Sequence, residues 1–301
     1  MIENRLISAP EDLDPDVIAA VAGGTARIDL APELLIALAA NRAAVLAALD
    51  GDQPVYGVNT GMGALAGVRL DADARARHQN TLMAGRSVGS APWLSRTRAR
   101  ALLAVRLRDL LHPAAGASPE LCSHLAALLT ADVIPAIPAR GSGAAGEIIP
   151  LAHAGAALIG IGQVLDEAGQ AVDAGPALDA AGLRPYSFSA KEGVAFLEGV
   201  PGLTGLAVLA ARAARTLIDQ VTAVVAAEHA VARASRDPWH PAFAAADPEL
   251  RAVLDNLRAP SSQRPTGSSH DPAASHGPAA SHGPAASHGP AASHGPAASH
   301  W

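Results

Sequence analysis

Residues Arg140–His153 read Arg-Gly-Ser-Gly-Ala-Ala-Gly-Glu-Ile-Ile-Pro-Leu-Ala-His. The small residues of the first half let the backbone turn tightly and approach other groups closely. An apolar run without charge follows, from Ile148 to Leu165. Glycine-rich backbone that leads into the start of a helix directs N–H groups toward negative charge. The stretch therefore predicts a tight loop followed by a buried helix, at a place suited to stabilising negative charge.

The composition of the 301-residue chain predicts a mainly α-helical protein, because alanine, leucine and arginine are frequent and are strong helix formers. The net charge of −6 and the lack of a basic block argue against a nucleic-acid partner. Cys122 is the single cysteine, which excludes an intrachain disulfide and a CxxC metal site. The run 148–165 reaches the minimum length of a membrane span, but Pro150 and three glycines interrupt it. We therefore expect a buried core helix in a cytoplasmic protein without a membrane partner.

Hydrophobic spacing and caps predict the helices and the domain organisation. A glycine-rich loop is expected over 55–63 and a short hairpin or loop over 162–170, and the arginines of the fourth helix are expected on its solvent-facing side. The predicted helices cover 14–22, 32–49, 71–86, 95–111, a segment opening at Ser118-Pro-Glu-Leu, 148–165, 202–234 and 247–257. The predicted domains are an N-terminal domain over 1–200, the start of a helical bundle over 201–260, and a tail over 261–301.

The tail repeats Gly-Pro-Ala-Ala-Ser-His with a period of six. Such a Pro/Gly/Ser-rich repeat cannot build a core and predicts disorder. Its regularly spaced histidines leave weak metal binding open as one interpretation. The other interpretation is a low-complexity tail, or the product of a shifted reading frame.

Taken one at a time, the candidate site residues carry little information. A tyrosine such as Tyr56 acts as a base only in a site that lowers its pKa, and in a glycine-bounded loop it more commonly packs or donates a hydrogen bond. His153 on an apolar helical face indicates a core histidine with satisfied hydrogen bonds. Glu192 and Glu198 have no metal-binding spacing and indicate a solvated helix edge.

Taken together and in order, five segments resemble the histidine and phenylalanine ammonia-lyase family, and the similarity extends from about residue 14 to about residue 257. They are Tyr-Gly-Val-Asn-Thr-Gly-Met-Gly from Tyr56, His-Gln-Asn-Thr-Leu from His78, Val-Ile-Pro-Ala-Ile-Pro-Ala-Arg-Gly-Ser from Val133, Pro-Leu-Ala-His from Pro150, and Ala-Lys-Glu-Gly-Val-Ala-Phe from Ala190.

The resemblance implies an ammonia-lyase-like N-terminal domain that leads into a central helical bundle, and a homotetramer whose active sites combine several subunits. It implies removal of ammonia from an aromatic L-amino acid, histidine included, to give an α,β-unsaturated acid. No external cofactor is implied, because the family makes its electrophile, a methylidene-imidazolone, from an Ala-Ser-Gly triad of its own chain. A tyrosine at the place of Tyr56 removes the β-proton in this scheme, and Asn59 is carried over as a substrate-binding residue.

The triad falls on Ala144, Ala145 and Gly146 when the chain is aligned on Pro-Leu-Ala-His. The central residue must be a serine, because its hydroxyl is lost to make the methylidene carbon. Ala145 has no hydroxyl, so the sequence predicts that the methylidene-imidazolone is absent. The Ser-Gly step of Gly141-Ser142-Gly143 remains open as an alternative place for cyclisation.

Three further positions depart from the family pattern. Glu147 stands where the family has an aspartate, and Glu198 stands where it has a substrate-binding asparagine. A carboxylate at residue 198 repels the substrate carboxylate unless it is protonated or paired. Arg86 stands where histidine-specific members carry a histidine, and an arginine can bind a carboxylate. An ion pair between Arg86 and Glu198 is the alternative to substrate binding.

These observations leave three hypotheses. The first is an impaired ammonia-lyase-type enzyme, and the second is an inactive, truncated relative or interaction subunit, since the resemblance ends before the family's C-terminal half. The third is a helical binding module with a metal-binding histidine tail. Without that C-terminal half, we expect the helix at 202–234 to expose apolar surface.

Overall fold

The computed structural model describes residues 2–49, 53–140 and 146–258, without the side chains of residues 72 and 76. It consists mainly of α-helices, which confirms the predicted fold class. Two compact units divide the chain, the first ending at Ile218 and the second beginning at Asp219. Gly141-Ser142-Gly143, Ala144, Ala145 and the histidine repeat lie outside the described residues. The domain boundary after residue 200 stays a prediction.

The first unit opens with a β-α-β arrangement that the sequence did not predict. Strand β1 (Glu3–Ile7) pairs in parallel with β2 (Ala26–Leu30), and helix α1 (Pro15–Ala22) connects them. The helix begins where predicted, because the Asp14 carboxylate accepts the N–H of Val17 at 2.8 Å. Alternate residues of β2 are buried, so one face of this two-stranded sheet belongs to the core.

Four longer helices confirm the predictions to within a residue or two. They are α2 (Pro32–Leu49), α3 (Ala72–Arg86), α4 (Arg96–Leu111) and α5 (Pro119–Thr130). The side chains of Asp71, Ser95 and Ser118 each accept an N–H three residues later, at 2.7, 3.3 and 3.1 Å. Each supplies a partner for an N–H group that the first turn of a helix leaves without one.

Helix α4 is the centre of the core, and its arginines correct one prediction. It packs against α1 and α5 and is buried on nearly its whole circumference from residue 99 to 107. Arg100 and Arg106 are only 7% and 4% exposed, so they do not lie on a solvent-facing side. Arg100 donates to the carbonyls of Val21 and Leu129 and to Asp132, which provides a partner for its buried charge.

The apolar run 148–165 is not one helix, which corrects a second prediction. Helix α6 (Ile148–Leu158) ends at Leu158, and Gly160 follows with φ +79°. At Gly162 an added Cβ would lie 2.7 Å from the backbone nitrogen of Ala157. The chain then enters the hairpin of β4 (Gln163–Leu165) and β5 (Ala171–Asp173), which confirms the predicted hairpin. Strand β3 (Ile134–Pro135) pairs with the other edge of β4.

Three helices follow: α7 (Ala174–Ala180), α8 (Glu192–Leu197) and the long α9 (Pro201–Val231). From residue 210 to 221 every residue of α9 is exposed, including Leu217 at 60% and Val221 at 53%. The predicted exposure of apolar surface on this helix is therefore confirmed. By length and composition alone, Pro32–Leu49 and the stretch Glu192–Val231, which contains α8 and α9, are long and apolar enough to cross a membrane. Core helices of soluble proteins share this property.

The second unit has a small core of its own. It contains the last turns of α9 and helix α10 (Pro248–Arg258), which was predicted at 247–257. Trp239 is buried in this core, and its ring centroid lies 4.3 Å from that of His229. The other buried members of the core are Ala226, Ala244 and Leu254.

Candidate active site

The loop that carries Tyr56 is held together by Asn59. This side chain is 2% exposed, its Oδ1 accepts the N–H of Val55 at 2.7 Å, and its Nδ2 donates to the carbonyl of Gln53 at 2.9 Å. Both ends of the amide are thus used within the loop. Such local bonds order a segment that lacks helix or sheet partners. The contacts indicate that Asn59 shapes the loop, and its predicted part in substrate binding stays a prediction.

Tyr56 presents its side chain to solvent at 52% exposure. Its hydroxyl oxygen accepts the N–H of Gly63 at 3.0 Å, which ties the tyrosine to the far end of the same loop. Gly57 and Gly63 have φ of +69° and +61°, a region that other residues rarely adopt. The loop therefore holds an accessible phenol in a defined turn.

Arg86 lies at the end of α3, next to the loop. Its Nη2 is 3.8 Å from Sδ of Met62, and the side chain is half-buried. Burial, followed by the charge of Arg86, lowers the pKa of His78 two turns earlier in the helix. Arg86 makes no ion pair with Glu198 or with any other acidic side chain in the part of the chain that the structure describes. The alternative of an Arg86–Glu198 ion pair is therefore wrong for this structure.

Glu198 lies in the turn between α8 and α9, and its side chain is exposed, as predicted for a solvated edge. The backbone of the turn has a buried partner instead: the carbonyl of Glu198 accepts a short hydrogen bond from Nη1 of Arg106. The Nε of Arg106 has no hydrogen-bond partner among the described residues. Burial lowers the pKa of this guanidinium.

Gly146 is the one member of the Ala144-Ala145-Gly146 triad that the structure describes. An added Cβ there would have the carbonyl oxygen of Gly199 as its nearest neighbour, at 4.0 Å. The next residue, Glu147, donates its N–H to the same carbonyl at 3.1 Å. Gly146 and Glu147 therefore lie close to the turn between α8 and α9.

The Glu147 carboxylate caps the first turn of α9. It is buried, and its two oxygens accept the N–H groups of Gly202 and Leu203 at 2.5 and 2.8 Å. Negative charge is favourable at this position, because the N-terminus of a helix has a partial positive charge. A Cβ at Gly202 would lie 2.7 Å from Oε2 of Glu147, so the glycine leaves the room that the carboxylate occupies.

Glu192 is fully buried, so its prediction as a solvated helix edge is wrong. Its carboxylate accepts hydrogen bonds from the N–H of Ser118, the hydroxyl of Tyr186, and both the N–H and the hydroxyl of Ser189, at 2.8–3.1 Å. Nη1 of Arg42 lies 3.7 Å from Oε1. Burial alone raises the pKa of such a carboxyl, but the hydrogen bonds from Ser118 and Ser189 and the charge of Arg42 lower it overall.

His153 fits its prediction as a histidine with satisfied hydrogen bonds. Its Nε2 accepts the N–H of Gly89 at 2.9 Å, and its ring centroid lies 5.9 Å from that of Trp93. Burial lowers its pKa, which favours the neutral ring that this bond requires. Among the described residues no group of histidine, cysteine and acidic side chains could hold a metal ion.

Sequence reasoning missed three buried polar residues that connect these pieces: Gln79, Arg106 and Glu192. Gln79 is 0% exposed and hydrogen-bonds both to the Tyr56 loop and to α8. The available signal was two neighbouring amides, at residues 79 and 80, inside one of the segments that carry the resemblance. Glu192 also lies in such a segment, but nothing nearby in sequence marked the burial of Glu192 or Arg106, because Arg42, Ser118 and the Glu198 carbonyl come from distant segments.

Comparisons with known proteins agree with this arrangement. A family model described as aromatic amino acid lyase matches residues 13–255. The probable histidine ammonia-lyase of Thermoplasma acidophilum is 38% identical over 183 residues, which cover 60% of this chain and 37% of that protein. The histidine ammonia-lyase of Rhodospirillum rubrum is 39% identical over 196 residues, or 64% of this chain and 38% of that protein.

Two solved structures show the same fold. The tyrosine aminomutase of Streptomyces globisporus has a TM-score of 0.76 and 27% identity, over 86% of this chain and 48% of that one. The histidine ammonia-lyase of Trypanosoma cruzi has a TM-score of 0.71 and 27% identity, over 81% and 47%. The chain thus spans less than half the length of each of these four proteins.

Proposed function

Because the chain belongs to the aromatic amino acid lyase family, we propose that it derives from an enzyme that eliminates ammonia from an aromatic L-amino acid of the histidine type, and that this activity is impaired in the chain as encoded. The observation that carries the proposal is Ala145 at the centre of the triad. An alanine has no hydroxyl to lose as water, so the residues present do not fit the methylidene-imidazolone.

The remaining parts of an amino acid site support the family activity as the ancestral one. Tyr56 offers an accessible phenol in an ordered loop, which suits proton transfer to or from a bound molecule. Arg86 lies beside that loop without an acidic partner in the described residues, and a guanidinium in this position can bind a carboxylate. The substrate we propose is therefore an amino acid of the aromatic type, and the cellular location we propose is the cytoplasm.

The mass of the purified protein tests the proposal. Cyclisation and dehydration of a triad release water and lower the mass of the chain. Because Ala145 prevents the dehydration, the wild-type chain should have its encoded mass. An Ala145→Ser variant restores the hydroxyl, and a mass deficit equal to the released water in that variant alone would locate the defect at residue 145. A deficit in the wild-type chain would contradict the proposal. A Ser142→Ala variant would then show whether Gly141-Ser142-Gly143 is the cyclising segment.

An ammonia assay with histidine, phenylalanine and tyrosine tests the activity itself. We expect no turnover by the wild-type chain. Turnover of any of the three amino acids would show that the activity is not impaired. The Tyr56→Phe variant is the control for any turnover that is observed. An elimination that uses the Tyr56 phenol should be absent in this variant.

A second candidate function, assembly with other copies or with an intact relative, is favoured by the surface of α9. The residues Leu217, Ile218, Val221 and Val224 are each more than half exposed. An exposed apolar surface of this kind is typical of protein–protein contacts. We propose a homo-oligomer, and light scattering of the wild-type chain beside a Leu217→Glu/Val221→Glu variant tests it. Equal masses for the two would refute this contact.

A further inference from the structure

Helix α3 carries two neighbouring amides, Gln79 and Asn80, that bind different parts of the chain. Gln79 donates from Nε2 to the carbonyl of Gly57 at 3.0 Å and accepts the N–H of Val194 at Oε1, at 3.1 Å. Asn80 donates from Nδ2 to the carbonyl of Phe188 and accepts the N–H of the same residue, both at 2.9 Å. Each amide therefore uses one donor and one acceptor on backbone groups.

The contacts of Gln79 bring three segments within van der Waals distance. An added Cβ at Gly57 would lie 2.8 Å from Cγ2 of Val194, and one at Gly193 would lie 2.6 Å from the carbonyl oxygen of Gln79. The Tyr56 loop is thus pressed against α8, with Gln79 bridging the two. Because Gln79 is 0% exposed, water cannot replace either hydrogen bond.

We propose that Gln79 is a positioning residue for Tyr56: its amide fixes the Gly57 carbonyl, and thereby sets the direction in which the preceding Tyr56 side chain leaves the loop. The inference rests on the proposed part of Tyr56 in proton transfer. Tyr56 itself has a single hydrogen bond within its own loop, to Gly63. Its alignment relative to α3 and α8 therefore depends on the neighbouring Gly57.

Only an amide of this length satisfies both bonds at residue 79. A glutamate carboxylate keeps an acceptor for the N–H of Val194 but has no donor for the carbonyl of Gly57. A methionine has nearly the same shape and offers neither. Gln79→Glu therefore loses only the bond to Gly57, and Gln79→Met loses the bonds to both Gly57 and Val194. Each variant leaves the volume of the buried site almost unchanged.

Fluorine NMR of the full chain with 3-fluorotyrosine in place of tyrosine measures the position of Tyr56 directly. The chain contains two tyrosines, so the spectrum has two protein resonances, and Tyr56→Phe assigns them. In Gln79→Glu and in Gln79→Met we expect the Tyr56 resonance to shift or broaden by more than its linewidth. We expect the Tyr186 resonance to stay in place.

Asn80→Leu is the matched control, because it removes an equivalent pair of bonds one residue away. Phe188, which Asn80 holds, has its ring centroid 5.3 Å from that of Tyr186. This variant should move the Tyr186 resonance and leave that of Tyr56. If both resonances move in every variant, the amides only stabilise α3, and the positioning role is refuted. An unchanged Tyr56 resonance in the two Gln79 variants refutes it as well.

The result is independent of the mass measurement on the triad. A methylidene-imidazolone in the wild-type chain would overturn the proposed impairment and leave the role of Gln79 untouched. If the Gln79→Met protein does not fold, Gln79→Glu decides the question alone, since it retains the bond to Val194.

Discussion

The structure buries two glutamates in different ways. Glu192 has a cation, Arg42, and hydrogen bonds from Ser118 and from Tyr186 and Ser189 of one nearby segment. Glu147 has only the N–H groups of Gly202 and Leu203, and no cation lies within ion-pair distance of it in the described chain. The charge of Glu192 is compensated by a cation and by donors from two other segments, and that of Glu147 by the start of one helix. Loss of Glu192 should therefore affect several segments, and loss of Glu147 should affect α9 first.

Glu192→Ala should cause the largest loss of stability. It leaves the buried Arg42 guanidinium without its carboxylate, and it leaves the buried N–H of Ser118 and the hydroxyl of the half-buried Tyr186 without their acceptor. Removal of one partner from a buried ion pair costs about 3–5 kcal/mol. Urea unfolding of the purified chain measures it. The exposed Glu198→Ala serves as the control and should change the free energy of unfolding by less than about 0.5 kcal/mol. Equal losses in the two variants would show that burial of Glu192 is not stabilising.

Tyr186→Phe should have a smaller effect, because it removes one donor and keeps the ring. Its hydroxyl donates to Glu192 at 2.9 Å and lies 3.2 Å from the hydroxyl of Ser118. A hydrogen bond to a charged group contributes about 1.5–3 kcal/mol. The same unfolding experiment measures the loss. In the Glu192→Ala background the substitution should cost much less, and an undiminished cost there would contradict the assigned contact.

Glu147→Gln should cost less again, about 0.3–2 kcal/mol, because it removes the charge from the N-terminus of α9 and leaves one of the two N–H groups without an acceptor. Amide hydrogen exchange of the first turn of α9 should accelerate, while exchange in α5 should not. Glu249→Gln, in the exposed first turn of α10, is the matched control. If exchange accelerates evenly over the chain, Glu147 does not act through α9.

The smallest expected effect is on the pH dependence of stability, and it concerns Glu192. The folded state lowers the pKa of Glu192 below its unfolded value of about 4.3, so the folded state binds the proton more weakly. Its contribution is fully present above that value and is lost as pH falls through it toward the folded pKa. Between about pH 6 and about pH 3, unfolding free energies of Glu192→Gln should fall less steeply than those of the wild-type chain. Glu198→Gln should keep the wild-type slope, and identical slopes in all three would refute the prediction.

Much of the fold could be predicted from the sequence because its signals are local. Asp14, Ser95 and Ser118 mark helix starts through bonds to residues three positions later, and such contacts can be read within a single turn. The parallel pair β1 and β2 could not be read in this way. Its strands are separated by a helix, and neither is long enough to give a clear alternating pattern.

The sequence predicted which chemical groups the candidate site contains, but not which of its charged side chains are buried. The lack of a hydroxyl at Ala145 is evident from the amino-acid sequence alone. The burial of Glu192 is not, because its cation is Arg42, at the other end of the first unit's sequence. Arg106 was likewise expected in solvent, although its partner is the carbonyl of Glu198 in a turn of another segment. Whether a charged residue is buried depends on groups that the neighbouring sequence does not contain.

The early β-α-β arrangement has a consequence for synthesis of the chain on the ribosome. Its two strands and connecting helix lie within residues 3–30, so their mutual contacts need no later segment. The triad-bearing segment around Gly146 is made more than a hundred residues later, on the order of ten seconds at about 5–20 residues per second. The β-α-β arrangement therefore has time to form while later segments are still being synthesised. Helix α4, which packs on α1, can dock there before the segment with the altered triad leaves the exit tunnel.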